Sequence, residues 1–269
     1  MAVSLTKPDQ AVVLVGHGTK DPEGVAEFVG YVRGIRQRSG GIVEAGVLEY
    51  PTDDLPTVQE GFDRAVRQGA TSIVALPLFL FFAGHTRGDL PEQLVAARER
   101  HPDVPIAAAG PLGLDIRLLD ALEDRLTGEP HGPDTAVLLV GRGSLNSEAN
   151  ADLHKIARML WDRNGYGWVE PAFVSVAPPN VPAGIERCIR LGAQQVVVAP
   201  YFLNTGVLVK RIAEQARHAT AAVSVVPHLG LHTMVLEVLW ERIVQAQAGC
   251  CPCRASIPCR IPGLACGRE

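Results

Sequence analysis

Leu14-Val-Gly-His-Gly-Thr19 returns as Leu139-Val-Gly-Arg-Gly-Ser144, with two substitutions and a shift of 125 residues. Three further pairs follow in the same order, at shifts of 123, 123 and 117 residues: Gly69-Ala70 with Gly192-Ala193, Pro77-Leu-Phe-Leu80 with Pro200-Tyr-Phe-Leu203, and Leu112-Gly-Leu-Asp115 with Leu229-Gly-Leu-His232. Matches that keep their order with small drifts indicate an internal duplication. The chain is therefore predicted to hold two copies of one structural unit.

Each copy alternates short apolar runs with segments of helical spacing. The predicted strands are residues 11–15, 42–48, 72–78 and 106–109 in the first copy and 136–140, 169–175, 195–199 and 223–226 in the second. The predicted helices are residues 23–37, 57–68, 90–100 and 115–126, then 150–163, 181–191, 208–218 and 233–245. This order predicts an α/β fold of two similar doubly wound parallel-sheet domains facing a cleft.

The predicted domain limits follow from the Gly/Pro-rich stretch Gly128-Glu-Pro-His-Gly-Pro133, which is typical of a linker. The first half spans residues 1–130 and the repeated half spans residues 134–248. Residues 249–269 form a cysteine-rich tail.

Composition excludes several classes of protein. Of 269 residues, 47% are hydrophobic and 20% charged, which is enough apolar material for a sizeable core. The longest apolar stretch is interrupted by Pro77, so no membrane span is expected, and the first residues lack the features of a secretory signal. A net charge of −4 leaves no basic surface for nucleic acid. We expect a cytoplasmic protein, in which any anionic partner would be bound by a few local groups.

Three polar side chains follow neighbouring strands of the first half. His17 follows the first strand, Glu49 ends the second, and His85 follows the third. Ligands bind open α/β sheets beyond the carboxyl ends of the strands, so these side chains are expected to converge. Two imidazoles and a carboxylate suit a borderline divalent metal, and imidazole also accepts protons near neutral pH. A structural histidine, or a carboxylate that caps a helix or pairs with an arginine, is the alternative for each residue alone.

The second half lacks these histidines. Arg142 stands in the place of His17, and Val207 or Leu208 in the place of His85. The duplication is therefore expected to have been followed by a division of labour. The other histidines, His228 and His232 among them, are interpreted as ordinary helix and loop residues.

Two other kinds of active site are poorly supported. Neither Gly16-His-Gly-Thr-Lys20 nor Gly141-Arg-Gly-Ser-Leu-Asn146 completes a dinucleotide fingerprint or a P-loop. No G-x-S-x-G nucleophile elbow is present.

Four segments of the first half carry a resemblance to known proteins: the His17 segment, the Glu49-Tyr-Pro51 strand end, the Pro77-Leu-Phe-Leu80 run and the Ala83-Gly-His85 turn. Together they resemble the class II tetrapyrrole chelatases. Across about residues 10 to 245, the duplicated layout is similar to the long-form sirohydrochlorin cobaltochelatases of cobalamin synthesis. These enzymes are related to the sirohydrochlorin ferrochelatases of sirohaem synthesis. The resemblance implies that His17 and His85 are the catalytic, metal-binding pair, that Glu49 is a further ligand, and that Co²⁺ or Fe²⁺ is the substrate metal.

The same resemblance implies a polycarboxylate macrocycle, sirohydrochlorin, as the binding partner. Its carboxylates would be met by Arg or by helix N-termini, and Arg87, Arg142 and Asn146, with Lys210, follow predicted strand ends. Solvated surface charge is the alternative for any one of them. The apolar segment of residues 79–82 could face the macrocycle or could belong to the core.

Five of the six cysteines lie in the last twenty residues. An iron–sulfur cluster could be held by Cys250, Cys253, Cys259 and Cys266, and some long-form relatives carry a similar C-x-x-C. The alternatives are Zn²⁺ binding and a disordered reactive tail. Cys188, alone in a helical stretch, is predicted to fill the core.

Two functions remain open at this point. The first is an enzyme that inserts Co²⁺ or Fe²⁺ into sirohydrochlorin, with cobalt favoured. The second is a carrier that binds metal or tetrapyrrole through the same histidines without turnover. The protein is expected to be a monomer or a homodimer.

Overall fold

The computed structural model describes residues 9–81, 88–219 and 222–249. Within these residues the chain forms eight strands, all close to their predicted positions: β1 Gln10–Gly16, β2 Ile42–Val47, β3 Ser72–Pro77, β4 Ile106–Ala108, β5 Thr135–Gly141, β6 Trp168–Phe173, β7 Gln195–Pro200 and β8 Ala222–Val225. The described helices are α1 Pro22–Ser39, α2 Val58–Arg67, α3 Asp89–Arg100, α4 Ile116–Leu126, α5 Ser147–Arg163, α6 Val181–Arg190, α7 Val207–Arg217 and α8 Thr233–Gln247. The predicted α/β fold is confirmed.

The strands build two parallel sheets with the same topology. One sheet has the strand order β2-β1-β3-β4 and the other β6-β5-β7-β8. The central strands β1 and β5 are apolar and buried almost throughout, as expected for parallel strands covered on both faces by helices. In each sheet the first strand of the repeat lies between the second and the third, so the loops after these strands meet at one edge.

The described residues fall into two compact units, and these units combine parts of both repeats. One unit contains the residues up to Gly113 and those from Leu236 onward; the other is Leu114–Val235. The first therefore contains β1 to β4 with α1, α2, α3 and α8, and the second contains β5 to β8 with α4, α5, α6 and α7. The limits 1–130 and 134–248 follow the sequence repeats, and they stay predictions as domain limits. The compact units differ from the repeats because each unit contains the last helix of the other repeat.

Two arginines at equivalent places in the repeats fix the exchanged helices. In the first unit, Arg242 of α8 donates from Nη2 to the carbonyl oxygen of Leu112 at 2.7 Å. In the second, Arg125 of α4 donates from Nη2 to the carbonyl oxygen of Leu229, also at 2.7 Å. Both the arginines and the leucines are related by the shift of 117 residues seen in the sequence. Each repeat's last helix is thus tied to the segment that precedes the last helix of the other repeat.

Cys188 lies on α6 with its side chain in the core of the second unit, as predicted. Burial raises the pKa of its thiol to about 12, so the group stays protonated and inert at neutral pH.

None of the described helices is both long and apolar enough to cross a bilayer.

Candidate metal site and the loops that carry it

His17 and Glu49 are held side by side by backbone pairing that continues beyond β1 and β2. Leu48 donates its N–H to the carbonyl oxygen of Gly16 at 3.0 Å, and Glu49 donates to that of His17 at 2.8 Å. The side chains approach to 3.8 Å between Nε2 of His17 and Oε1 of Glu49. Both reach solvent, with side-chain exposures of 31% and 43%. The carboxyl edge of the first sheet therefore presents an accessible imidazole beside a carboxylate.

The glycines flanking His17 have structural reasons of their own. A Cβ on Gly16 would lie 2.3 Å from the ring of Phe28 on α1. Gly18 has a φ of +91°, and a Cβ there would lie 1.8 Å from the backbone oxygen of Glu49. Only glycine permits this close passage of the two loops, so the G-H-G pattern is required by the turn that presents the histidine.

Tyr50, directly after Glu49, adopts the left-handed region with a φ of +53°. This is uncommon for a residue with a bulky side chain, and it turns the chain sharply after the carboxylate. The Tyr50 ring lies under the ammonium of Lys20, whose Nζ is 4.7 Å from the ring centroid. Lys20 comes from the His17 loop, so this contact joins the two loops of the site a second time.

The second sheet repeats the backbone of this edge with different side chains. Ser175 donates its N–H to the carbonyl oxygen of Arg142 at 3.0 Å, as Glu49 does to His17. A Cβ on Gly143, with a φ of +87°, would lie 2.1 Å from the oxygen of Ser175. Ser175 is thus the counterpart of Glu49, and the imidazole and carboxylate are replaced by a guanidinium and a hydroxyl.

The predicted carboxylate-binding residues of the second half have different surroundings. The Arg142 side chain is exposed and makes no hydrogen bond or ion pair with the described residues. Asn146 caps α5, because its Oδ1 accepts the N–H of Glu148 at 3.0 Å, as Asp21 caps α1 in the first repeat. Lys210 lies in the first turn of α7. Contact of Asn146 with substrate stays a prediction, although its side-chain oxygen is already used by the helix.

Several predicted site residues lie outside the described residues. These are His85, Arg87, Cys250, Cys253, Cys259 and Cys266. Within the described ranges, no group of three or more His, Cys, Asp or Glu side chains is arranged to hold a metal ion. His17 and Glu49 therefore form two members of the predicted set of three. Of the apolar segment 79–82, the described residues Phe79, Leu80 and Phe81 are half-buried.

Other histidines have structural partners. His101 pairs through Nε2 with Asp63 at 2.8 Å. His232 accepts the N–H of Met234 at Nδ1 and lies 3.2 Å from Asp124 through Nε2. These contacts agree with their interpretation as ordinary residues.

The sequence interpretation did not single out Ser175, Lys20 or Tyr50. A shift of 126 residues, one more than between the first strands, would have paired Ser175 with Glu49. No local pattern marks Tyr50 as left-handed, because it is neither glycine nor asparagine and the following Pro51 favours extended backbone.

A family model ties both repeats to known proteins. The CbiX model matches residues 11–129 and again residues 136–246. The chain belongs to the CbiX family. The two matches cover most of the chain and reproduce the duplication.

Individual relatives of this CbiX-family chain match over most of its length. It is 36% identical over 251 residues to the sirohydrochlorin cobaltochelatase of Priestia megaterium, covering 89% of this chain and 81% of the relative. It is 32% identical over 239 residues to the sirohydrochlorin ferrochelatase of the same organism, covering 87% and 89%. The structure of SirB from Bacillus subtilis with Fe³⁺ matches with a TM-score of 0.75 and 27% identity, covering 90% of this chain and 96% of the other.

Proposed function

We propose that this protein inserts a divalent metal ion into sirohydrochlorin. The observation that carries the proposal is the His17–Glu49 pair, accessible at the carboxyl edge of the first sheet and replaced by Arg142 and Ser175 in the second. The relatives that match most of the chain are chelatases for this macrocycle, which supports the same reaction.

The chemistry asks for groups that act both as metal ligands and as bases. A divalent ion enters the macrocycle as two pyrrole N–H protons leave, so charge balances when two protons are released per metal inserted. An imidazole can bind the incoming ion after it loses water and can accept a proton. His17 and Glu49 supply an imidazole and a carboxylate, and His85 is proposed as the second imidazole. In this scheme Glu49 also keeps the positive charge of the bound ion balanced before transfer.

Substrate binding is assigned to positive groups at the sheet edges. Sirohydrochlorin is a polycarboxylate, and a guanidinium cannot ligate a cation but binds carboxylate well. Arg142 is therefore proposed to bind a substrate carboxylate, with Arg87 and Asn146 as further candidates.

Cobalt is the metal we favour, which would place the reaction in cobalamin biosynthesis. Its support is the higher identity to the cobaltochelatase of P. megaterium, 36% against 32% for the ferrochelatase, since both relatives match the chain over both repeats. Imidazole and carboxylate ligands bind Co²⁺ more tightly than Fe²⁺, but they bind Ni²⁺ more tightly than either. Ligand type alone therefore does not select cobalt. Preference for iron would make the protein a sirohydrochlorin ferrochelatase of sirohaem synthesis.

The test is turnover under anaerobic conditions. Substoichiometric protein is mixed with sirohydrochlorin and Co²⁺ or Fe²⁺, and the visible spectrum is followed. Conversion of many equivalents per protein, above the rate without protein, is the expected result, with a higher kcat/KM for Co²⁺. Uptake of one equivalent with no release would identify a carrier instead, and a higher kcat/KM for Fe²⁺ would reverse the choice of metal.

A further inference from the structure

We propose that Lys20 binds a carboxylate of the substrate beside the metal site, and that Tyr50 is the residue that positions it. The proposal rests on the proposed function and extends it to a pair of residues on the two loops that carry His17 and Glu49. The juxtaposition that carries it is the Lys20 ammonium 4.7 Å above the centroid of the Tyr50 ring. A cation at this distance from an aromatic face is held by the ring quadrupole.

The turn at Tyr50 does not by itself call for an aromatic side chain. A left-handed φ of +53° is strained for tyrosine and is free of strain for glycine. The counterpart in the second repeat, Val176, has a φ of +64°, so the turn itself belongs to the fold. The second repeat makes this turn with valine, so the turn does not require an aromatic ring, and the Tyr50 ring differs from its counterpart in contacting a cation. That cation is Lys20.

Comparison of the repeats shows that the pair occurs only where the metal ligands are. The counterparts of Lys20 and Tyr50 are Leu145 and Val176, two apolar side chains that are 96% and 55% exposed. The His17 loop therefore has its permanent cation at the fourth position of His17-Gly-Thr-Lys20. The equivalent loop has it at the first position of Arg142-Gly-Ser-Leu145. Each repeat therefore has one positively charged side chain on this loop. In the first repeat the charge lies three residues after the position of Arg142, because His17 occupies that position.

The chemistry of an ammonium fits this place. Lys20 is exposed, is three residues from His17, and cannot ligate a metal ion while it is protonated. It can bind a carboxylate on the rim of a macrocycle whose centre faces the histidine. The aromatic ring restricts the side chain to one region of the loop, which reduces the entropy lost when substrate binds.

The test separates substrate binding from metal binding. Lys20→Met should raise the KM for sirohydrochlorin about three- to tenfold and change kcat by less than about twofold, as for an exposed charge-assisted contact made in both ground and transition states. Lys20→Arg should restore most of the KM. The effect of Lys20→Met should shrink at high ionic strength. Binding of Co²⁺ alone, followed by its visible absorption, should be unchanged.

Tyr50 is tested by what its ring retains. Tyr50→Phe keeps the aromatic face and should keep the wild-type KM. Tyr50→Leu keeps the bulk and the strained backbone but loses the face, and should raise the KM in the direction of Lys20→Met. Lys155→Met is the matched control and should behave as wild type, because Lys155 is an exposed lysine of α5 that pairs with the neighbouring carboxylate of Asp152.

Each outcome bears on one of the two proposals. A wild-type KM in Lys20→Met, with a wild type that turns over, overturns the inference and leaves the proposed function standing. Loss of Co²⁺ binding in Lys20→Met also overturns it, because Lys20 would then act on the metal ligands. If the wild type binds sirohydrochlorin without turnover, the proposed function fails, and direct titration of Lys20→Met with sirohydrochlorin decides the inference. A wild type that does not bind the macrocycle overturns both.

Discussion

His17 combines three properties that the proposed metal transfer requires. Its position is fixed by the backbone bond to Glu49, its imidazole lies 3.8 Å from a carboxylate, and its side chain is 31% exposed. A ligand that must release its metal to substrate has to be both held in place and open to solvent. The second repeat keeps the same backbone with Arg142, which shows that the loop folds without an imidazole.

His17→Ala is accordingly expected to reduce metal insertion by about a hundredfold or more, the usual loss for a general base, without loss of fold. The measurement is kcat together with the circular dichroism spectrum and unfolding midpoint of the variant. His154→Ala is the control, because His154 is exposed on α5 in the second unit. Near-normal turnover by His17→Ala would remove the proposed site.

Arg142 is expected to act on substrate affinity. Its guanidinium makes no hydrogen bond or ion pair with the described residues, so Arg142→Ala should leave the unfolding midpoint unchanged. The KM for sirohydrochlorin should rise by more than kcat falls, by a factor that corresponds to about 1.5 kcal/mol for a charge-assisted bond. Steady-state kinetics at fixed Co²⁺ measure both constants. An unchanged KM would contradict the assignment.

The capping box of α2 makes a pH-dependent contribution to stability. Thr57 donates its N–H to Glu60 at 2.9 Å and accepts the N–H of Glu60 at its hydroxyl. The hydrogen bonds from the Thr57 backbone and side chain lower the pKa of the Glu60 carboxyl. Because the folded pKa lies below the unfolded one, the contribution is complete above the ordinary pKa of glutamate and is lost as pH falls through the lowered value.

Glu60→Gln should therefore be less stable than wild type at neutral pH and should approach it as the pH is lowered. Urea unfolding at neutral pH and at a pH below the ordinary glutamate value measures this. Thr57→Ala should lower the free energy of unfolding by about 1 kcal/mol at neutral pH, while Thr57→Ser keeps the cap and should stay close to wild type. A gap between Glu60→Gln and wild type that does not change with pH would show that the ionised carboxylate is not responsible.

The described strands and helices were predictable because each depends on local signals. Continuous apolar runs mark strands covered on both faces, and residues such as Asp21 and Thr57 mark helix starts. The sequence also located His17 and Glu49 at one sheet edge. It did not show that Asn146 caps a helix, because a capping asparagine and a ligand-binding asparagine look the same after a strand. The pairing of Ser175 with Glu49 depends on register, which only the sheet fixes.

The last of the described elements, α8, ends at Gln247. Deletion of residues 250–269 is therefore expected to leave the unfolding midpoint and the rate of Co²⁺ insertion unchanged. Elemental analysis of iron and zinc in the full chain and in the truncated protein, both prepared without oxygen, measures whether the cysteines bind metal. Loss of insertion by a folded truncation would mean that the cysteines take part in metal delivery.

The exchange of α4 and α8 between the repeats could not be predicted from the sequence. A repeat shows which segments correspond, but it does not show against which sheet a terminal helix packs. In the first unit α8 lies beside α1, where Arg38 pairs with Glu237 at 2.5 Å and lies over the ring of Trp240. In the second unit α4 lies beside α5, where Arg163 pairs with Asp120 at 2.8 Å. These contacts join residues far apart along the chain.

The exchanged helices also set the order in which the protein is completed on the ribosome. Leu114–Val235 is a continuous segment, so its unit has all its parts as soon as that segment has emerged. Residues of the other unit up to Gly113 are synthesised earlier, but their contacts with α8, such as that of Leu112 with Arg242, form only after α8 has been synthesised. The unit that carries His17 and Glu49 therefore begins before the other unit along the chain and is completed after it. A nascent chain halted between Gly113 and α8 holds His17 and Glu49 on a unit that still lacks its last helix.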